Sequence, residues 1–317
     1  MQGYAFLGKQ KTTDPEYAFM FRGRMDERYD MTRALRDRRY RYIRNYMPHR
    51  IYGQHVNYLW QAPSMQSWGR AYLAGQCNEA QSIFWKPKPA EELYDTENDP
   101  WEVRNLATDP AYKKILDRMR NAHNALVSDI LDVGFIPEGE FYSRAKDTPL
   151  YDYMRTANLP YAQILETANL ASDGNRQNLE RLCELLQSDE SAIRYWAVTG
   201  LLILKDDAKP AIAQLKKALD DPSPDVASVA AEALYLLGEK ETGKNALLKA
   251  LEHPDIPVRT YALNAIENIG ERSPKTLQAI LDLDEKSKDD KNPMRYDLRM
   301  TSWLKEKLGR IVVMTEN

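Results

Sequence analysis

The second half of this chain repeats itself, and a fixed repeat restricts the possible folds more tightly than composition does. Ile193, Val226 and Val258 stand 33 and 32 residues apart, and Ala197, Ala230 and Ala262 follow with the same two separations. Leu186, Leu219 and Leu251 form a third column in that register, and Leu182, Leu215 and Leu247 a fourth. Each unit reads as a helix, a short turn rich in Asp and Pro, and a second helix with a small residue where the two must approach closely. Such a pair buries its apolar stripe only by stacking on its neighbours, so the columns predict an α-solenoid. The repeats cover about residues 178–284, flanked by degenerate units, TPLYDYMRTANLPYAQILETANLA before and PMRYDLRMTSWLKEKLG after, that are expected to act as caps. An all-α domain over residues 161–317 follows. Trp196, Tyr195 and Tyr261 are expected to be core residues rather than binding anchors, and the charged stretch 284–291 a solvated loop.

The first half has a different period. Aromatic and β-branched residues punctuated by charge read as strands at 17–21 (YAFMF), 32–36 (TRALR) and 40–46 (YRYIRNY), with Asp37, Arg38 and Arg39 short enough for a hairpin. ELYD at 92–95 adds a fourth short strand. Asp109 and Pro110 then supply an N-cap and a favoured first residue for a helix in which Ile115, Leu116, Met119, Ala122, Leu126 and Ile130 recur at three- and four-residue steps. The expected fold class is therefore α+β followed by all-α: a small antiparallel sheet with a covering helix over residues 1–134, a connector at 135–160, and the solenoid. The connector is expected to pack through Phe141, Tyr142 and the aromatics at 151–153.

Composition excludes some functions. No apolar run approaches the roughly 20 residues of a membrane helix, and the first residues lack the features of a signal peptide. Cys77 and Cys183 sit in no Cys/His cluster. The net charge of −3 hides arginine crowding at 22–50. Arg36, Arg38, Arg39, Arg41 and Arg44 interleave with Tyr40 and Tyr42, but on a strand these alternate between two faces and Asp37 interrupts them. No nucleic-acid partner is expected.

Two resemblances follow from these residues. The repeats resemble HEAT-like repeats in a short form. MQGYAFLG at the start, FRGRMDERYDMTRALRDRRYRYIRNYMP at 21–48 and EELYDTENDPWEVRNLA at 91–107 resemble the C-terminal subdomain of a sulfatase of the alkaline-phosphatase superfamily, nearest the bacterial glycan sulfatases related to heparan N-sulfatase. In that family the hairpin reads R-D-x-R-Y-x-Y-I-x-N and the later passage E-L-Y-D-x-x-x-D-P-x-E-x-x-N-L-A. The likeness covers about residues 1–119. It implies a sulfuric ester hydrolase acting on a sulfated glycan, with a formylglycine nucleophile made from a C/S-x-P-x-R motif and a calcium ion, in a periplasmic or secreted protein. Neither cysteine and no serine of this chain stands in that motif. The resemblance therefore leads to the expectation that the chain starts inside a sulfatase fold, is inactive by itself and binds no calcium alone.

Arg22, Arg24, Asp26, Glu27 and Arg28, on the charged loop between the first two strands, are the candidate substrate-binding residues, with His55 beside them. Guanidinium forks suit sulfate or uronate oxygens, and carboxylates accept sugar hydroxyls. A protein partner is expected on the solenoid. The alternative is a non-catalytic repeat module binding protein or glycan. The two differ over Phe6, Leu7, Phe19 and Phe21, exposed if a further domain normally covers them and buried if not.

Overall fold

Alternation along the strands puts Leu35, Tyr42 and Leu93 in register across three neighbours and on one face of the sheet. In the computed structural model, which describes residues 4–287, 292 and 294–315 (side chains to 307), that face is fully buried. The strands are β1 (Ala18–Arg22), β2 (Thr32–Arg36), β3 (Tyr40–Asn45) and β4 (Glu91–Asp95), all antiparallel in the order β1-β2-β3-β4. Asp37 closes the β2–β3 hairpin, its Oδ1 accepting from the backbone N–H groups of Arg39 (2.8 Å) and Tyr40 (2.6 Å).

Between β3 and β4 the chain makes an excursion in which the sequence reading had placed no element: α1 (Pro63–Leu73) and α2 (Glu79–Ser82). Trp60, Trp68, Tyr72, Phe84 and Trp85 pack there ring on ring. The local signals were present, a proline in the first turn of α1 and an Asn78/Gln81 capping box on α2.

Helix α3 (Lys113–Ile130) covers the apolar face of the sheet, after an Asp109 side chain that accepts from Ala111 N–H. Its buried stripe is Leu116, Met119, His123 and Val127. The helix was foreseen and part of its stripe was not, because a histidine occupies the third position. His123 is wholly buried between the rings of Tyr42 and Tyr46, and burial pushes its imidazole down to about 4.

The connector is ordered into α4 (Phe141–Ala145) and α5 (Leu150–Thr156). Its anchors differ from those expected. Tyr142 and Tyr151 are exposed, Phe141 and Tyr153 only partly buried, while Phe135 and Ile136 are fully inside. The chain leaves α3 through the left-handed residue Leu131, and a tight turn over Val133–Phe135, capped by Asp132, then brings these two into the core.

The solenoid comprises α6 (Tyr161–Ser172), α7 (Leu179–Leu185), α8 (Ser191–Leu204), α9 (Ile212–Ala218), α10 (Pro224–Leu236), α11 (Lys240–Ala250), α12 (Ile256–Asn268), α13 (Pro274–Lys286) and α14 (Tyr296–Thr315). The alanine column is wholly buried, as are Leu182, Leu215 and Leu247 to within 1%. Trp196 and Tyr195 are core and Tyr261 is partly buried against it. Arg194 donates to the carbonyls of Ser188 and Asp189 in its own turn and pairs with Asp221 of the next unit at 2.7 Å. Arg259 repeats this with His253, Pro254 and Asp297. The equivalent position between them is Ala227. Of the stretch expected to be a loop, Asp284 to Lys286 instead continue α13, where Asp284 bonds Thr301 and Lys305 of α14; residues 288–291 lie outside those described.

The two halves share one core. Met31, Tyr46, Met47, Val127 and Phe135 from the α+β unit cluster with α6 and α8. Tyr46 meets Phe135 edge-on at 4.8 Å and Trp196 at 5.8 Å, and Trp196 Nε1 donates to the Phe135 carbonyl at 3.0 Å. The second helices of the repeats thus turn their inner face toward the sheet.

Two substitutions test this packing. A Cβ on Gly243 in α11 would lie 2.5 Å from the Ala231 carbonyl oxygen and 2.7 Å from the Tyr235 nitrogen, both backbone atoms that cannot swing away. Gly→Ala within a helix ordinarily gains up to about 1 kcal/mol, but overpacking of this kind costs about 1–3 kcal/mol. Gly243→Ala is therefore expected to lower the urea midpoint, and a rise would contradict the close α10–α11 approach. His123 is neutral when folded and ionises more readily unfolded. Its contribution is complete above about pH 6.5 and is lost as pH falls through about 4. His123→Phe is expected to shrink the loss of Tm between pH 6.5 and 4.5 relative to wild type, followed by circular dichroism.

Candidate functional site

The loop from Arg22 to Asp30 reaches from β1 across to the solenoid, and its charges are used in doing so. Met25 and Arg28 exchange backbone hydrogen bonds of 2.7 and 2.9 Å, forming a tight turn with Asp26 at φ +48. Arg24 forks onto Glu138 of the connector through Nε and Nη2, at 2.7 and 2.5 Å to Oε2. Asp26 pairs with Arg299 of α14 at 2.9 Å. Glu27, 1% exposed, accepts from Asn57 N–H at 2.6 Å, and its carbonyl accepts from Asn264 Nδ2 of α12 at 2.8 Å. Arg22 lies 3.5 Å from Asp30, itself held by Lys88 at 2.8 Å.

Arg28 is the centre of this arrangement. Its Nε donates to the His55 carbonyl at 2.5 Å, and its Nη1 lies 2.6 Å from both Asn264 Oδ1 and Glu267 Oε2. Glu267 also accepts from Trp303 Nε1 at 2.8 Å and from Lys307 at 2.9 Å. Burial alone would raise its carboxyl; Arg28 and Lys307 more than offset that and hold it down to about 2. The His55 ring stacks on Trp303, centroids 3.6 Å apart, and on Trp60 at 5.4 Å, and burial pushes it down to about 4. Arg50 makes a second bidentate pair across the seam, to Glu232 of α10 at 2.6 and 2.7 Å, with Tyr261 also donating to that carboxylate.

Of the six sequence-predicted residues, Arg28 and His55 therefore line a common cleft of about 420 Å³, together with His49, Arg50, Trp60, Lys205, Trp303 and Lys307. Arg22, Arg24, Asp26 and Glu27 sit beside it in ion pairs and backbone bonds. The cleft residues from the solenoid were not foreseen; Trp303 and Lys307, four apart on one helix, were the available signal.

Most of the arginine-rich hairpin is neutralised within the fold, the exposed Arg36 and Arg38 aside. Arg33 pairs with Asp132, Arg39 with Asp95, Arg41 with Glu102 and Arg44 with Asp173. The passage 91–107 is structural: Asn105 ties β4 to the following chain by accepting from Leu93 and Ala107 N–H and donating to the Glu91 carbonyl, and Asp99 accepts from Arg104 N–H at 2.8 Å. Among the described residues no group of three or more His, Cys, Asp or Glu is placed to hold a metal ion, and no helix is long and apolar enough to cross a membrane.

Comparison with known proteins bears on both halves. The family described as HEAT repeats matches residues 148–234 and 212–292. An ulvan-active sulfatase of Formosa agariphila is 37% identical over 145 residues, which is 45% of this chain and 24% of that protein. A second ulvan-active sulfatase of the same organism is 36% identical over 88 residues, 28% of this chain and 15% of its own length. The chain thus spans about a quarter or less of the sulfatases that it matches.

The seam yields a direct test. Arg50→Met leaves the wholly buried Glu232 with only the Tyr261 hydroxyl, and unpairing a buried charge costs about 3–5 kcal/mol. Arg50→Met/Glu232→Met is expected to recover most of that loss in urea denaturation. A single variant as stable as wild type would mean that the pair does not hold the halves together.

Proposed function

With a sulfatase-like part and HEAT-like repeats in one chain, we propose that it forms the C-terminal part of a sulfatase acting on a sulfated glycan, in which the repeats brace the sulfatase-like unit. The observation that carries this reading is the antiparallel sheet whose strands β2, β3 and β4 are built from the sulfatase-like passages 21–48 and 91–107, in a chain that matches known sulfatases at 37% and 36% identity. The ulvan on which those relatives act is the first glycan to try.

The catalytic chemistry lies outside these residues. The chain has no C/S-x-P-x-R motif. A polypeptide preceding it would supply that motif and the calcium site, and a periplasmic or secreted location follows from the same reading. Phe6, Leu7 and Phe21 are exposed and Phe19 is partly buried, which favours a further domain over a self-sufficient binding module. The inner face of the repeats is already filled by the α+β unit, so a protein partner would meet their outer helices.

The chain alone is expected to release no sulfate from an aryl sulfate above a blank. The source DNA upstream of Met1 is expected to encode C/S-x-P-x-R in frame, and the extended polypeptide to desulfate a sulfated glycan. Sulfate release by the chain alone, or an upstream frame without the motif, would overturn the proposal.

A further inference from the structure

The cleft at the seam holds more hydrogen-bond donors than the protein uses. Arg28 Nη2 and Trp60 Nε1, which can only donate, are shielded from solvent and have no partner within the fold; His49 Nδ1 and His55 Nδ1, whose role depends on the tautomer, and Glu267 Oε2, which meets Arg28 as an ion pair, also lack a hydrogen bond. All five residues line this one cleft. Buried polar atoms are almost always satisfied, so two unmet donors around a single space need a common explanation. The Arg28 side chain is 3% exposed, and guanidinium and indole nitrogens only donate.

The charge around the cleft has the same sense. Arg28, Arg50, Lys205 and Lys307 face only Glu232 and Glu267. Donors in excess and an unbalanced positive charge select an acceptor-rich anion. The walls add flat apolar surface from Trp60 and Trp303, and about 420 Å³ lies within the roughly 300–1,000 Å³ of small-molecule sites. A ligand that satisfies both features carries anionic oxygens on a ring with an apolar face. Exposed Lys205 and half-exposed Leu236 stand at the mouth, so the space is reachable from solvent.

We propose that the cleft between the α+β unit and α8, α10, α12 and α14 binds an anionic sugar residue, its sulfate or carboxylate oxygens meeting Arg28, Trp60 and Lys205. The choice of sulfate as the first anion rests on the glycan-sulfatase reading above; the donor geometry does not. The site is separate from any bond-breaking centre and would hold part of a glycan chain rather than the reacting ester.

The test is titration calorimetry on the intact chain with a heparin-derived sulfated disaccharide, its desulfated counterpart and sodium sulfate, at matched ionic strength. The sulfated disaccharide is expected to bind saturably, at least ten-fold more tightly than the desulfated one and more tightly than sodium sulfate. Trp60→Phe removes an N–H that bonds nothing in the protein, so it is expected to weaken binding at least three-fold; because it also shortens a ring packed on Trp85 and Gly69, its affinity is compared at a temperature where circular dichroism shows the variant folded. Lys205 sits at φ +52, where glycine is the unstrained residue. Lys205→Gly is expected to weaken binding by a similar factor, with Tm at or above wild type. Equal binding of sodium sulfate would overturn the sugar assignment, leaving a bare anion site. Absence of saturable binding by folded protein, or wild-type affinity in both variants, would overturn the site itself. Failure of the extended enzyme to desulfate a glycan, with this binding intact, would count against the proposed function alone.

Discussion

The inner face of the solenoid is filled by the chain's own α+β unit and connector, and the contact of Tyr46 and Phe135 with Trp196 is where that filling is anchored. Stacked helix pairs always leave an inner surface, and here its apolar part is buried without a second molecule. Around this apolar centre the polar contacts are paired across the seam: Asp26 with Arg299, Arg28 with Glu267, Arg50 with Glu232. Buried ion pairs of this sort contribute little net stability compared with apolar contacts, but losing one partner is costly. The aromatic contacts supply affinity between the halves, and each ion pair ties a residue of one half to a residue of the other.

The arginines show how burial changes the meaning of a charge. In sequence they suggest a surface for anions, whereas in the fold most of those in β2 and β3 are matched by carboxylates or carbonyls drawn from elsewhere. Arg44, for instance, is 4% exposed and held by Ser172, Asp173 and the Asn169 carbonyl of α6. Outside those pairs stand the exposed Arg36 and Arg38 of the hairpin and the small surplus around the seam cleft.

The repeat architecture and the sheet were legible because each depends on local periodicity. The columns at 33 and 32 residues land on buried positions, with only Leu219 partly buried, and the four strands fall within a residue of their expected bounds. Two kinds of feature were not legible. Short, heavily aromatic helices such as α1 lack a sustained period, and their cues are caps rather than patterns. Long-range pairings leave no trace in one sequence: Arg28 and Asn264 are 236 residues apart, and nothing in the loop distinguishes a guanidinium bound for a substrate from one bound for a helix. Of the candidate site, Arg28 and His55 could be named, and on the far wall only the spacing of Trp303 and Lys307 in α14 left a local trace.

Ala227 interrupts the arginine ladder at the repeat where Glu232 and Asp225 reach across to Arg50 and Gly139. The middle unit thus lacks the lengthwise clamp of its neighbours and is fastened sideways instead. Treated as a beam, the solenoid has one joint whose stiffness is borrowed from the structure beside it. A load that separated the two halves would therefore leave the end repeats rigid and turn the middle one into a hinge.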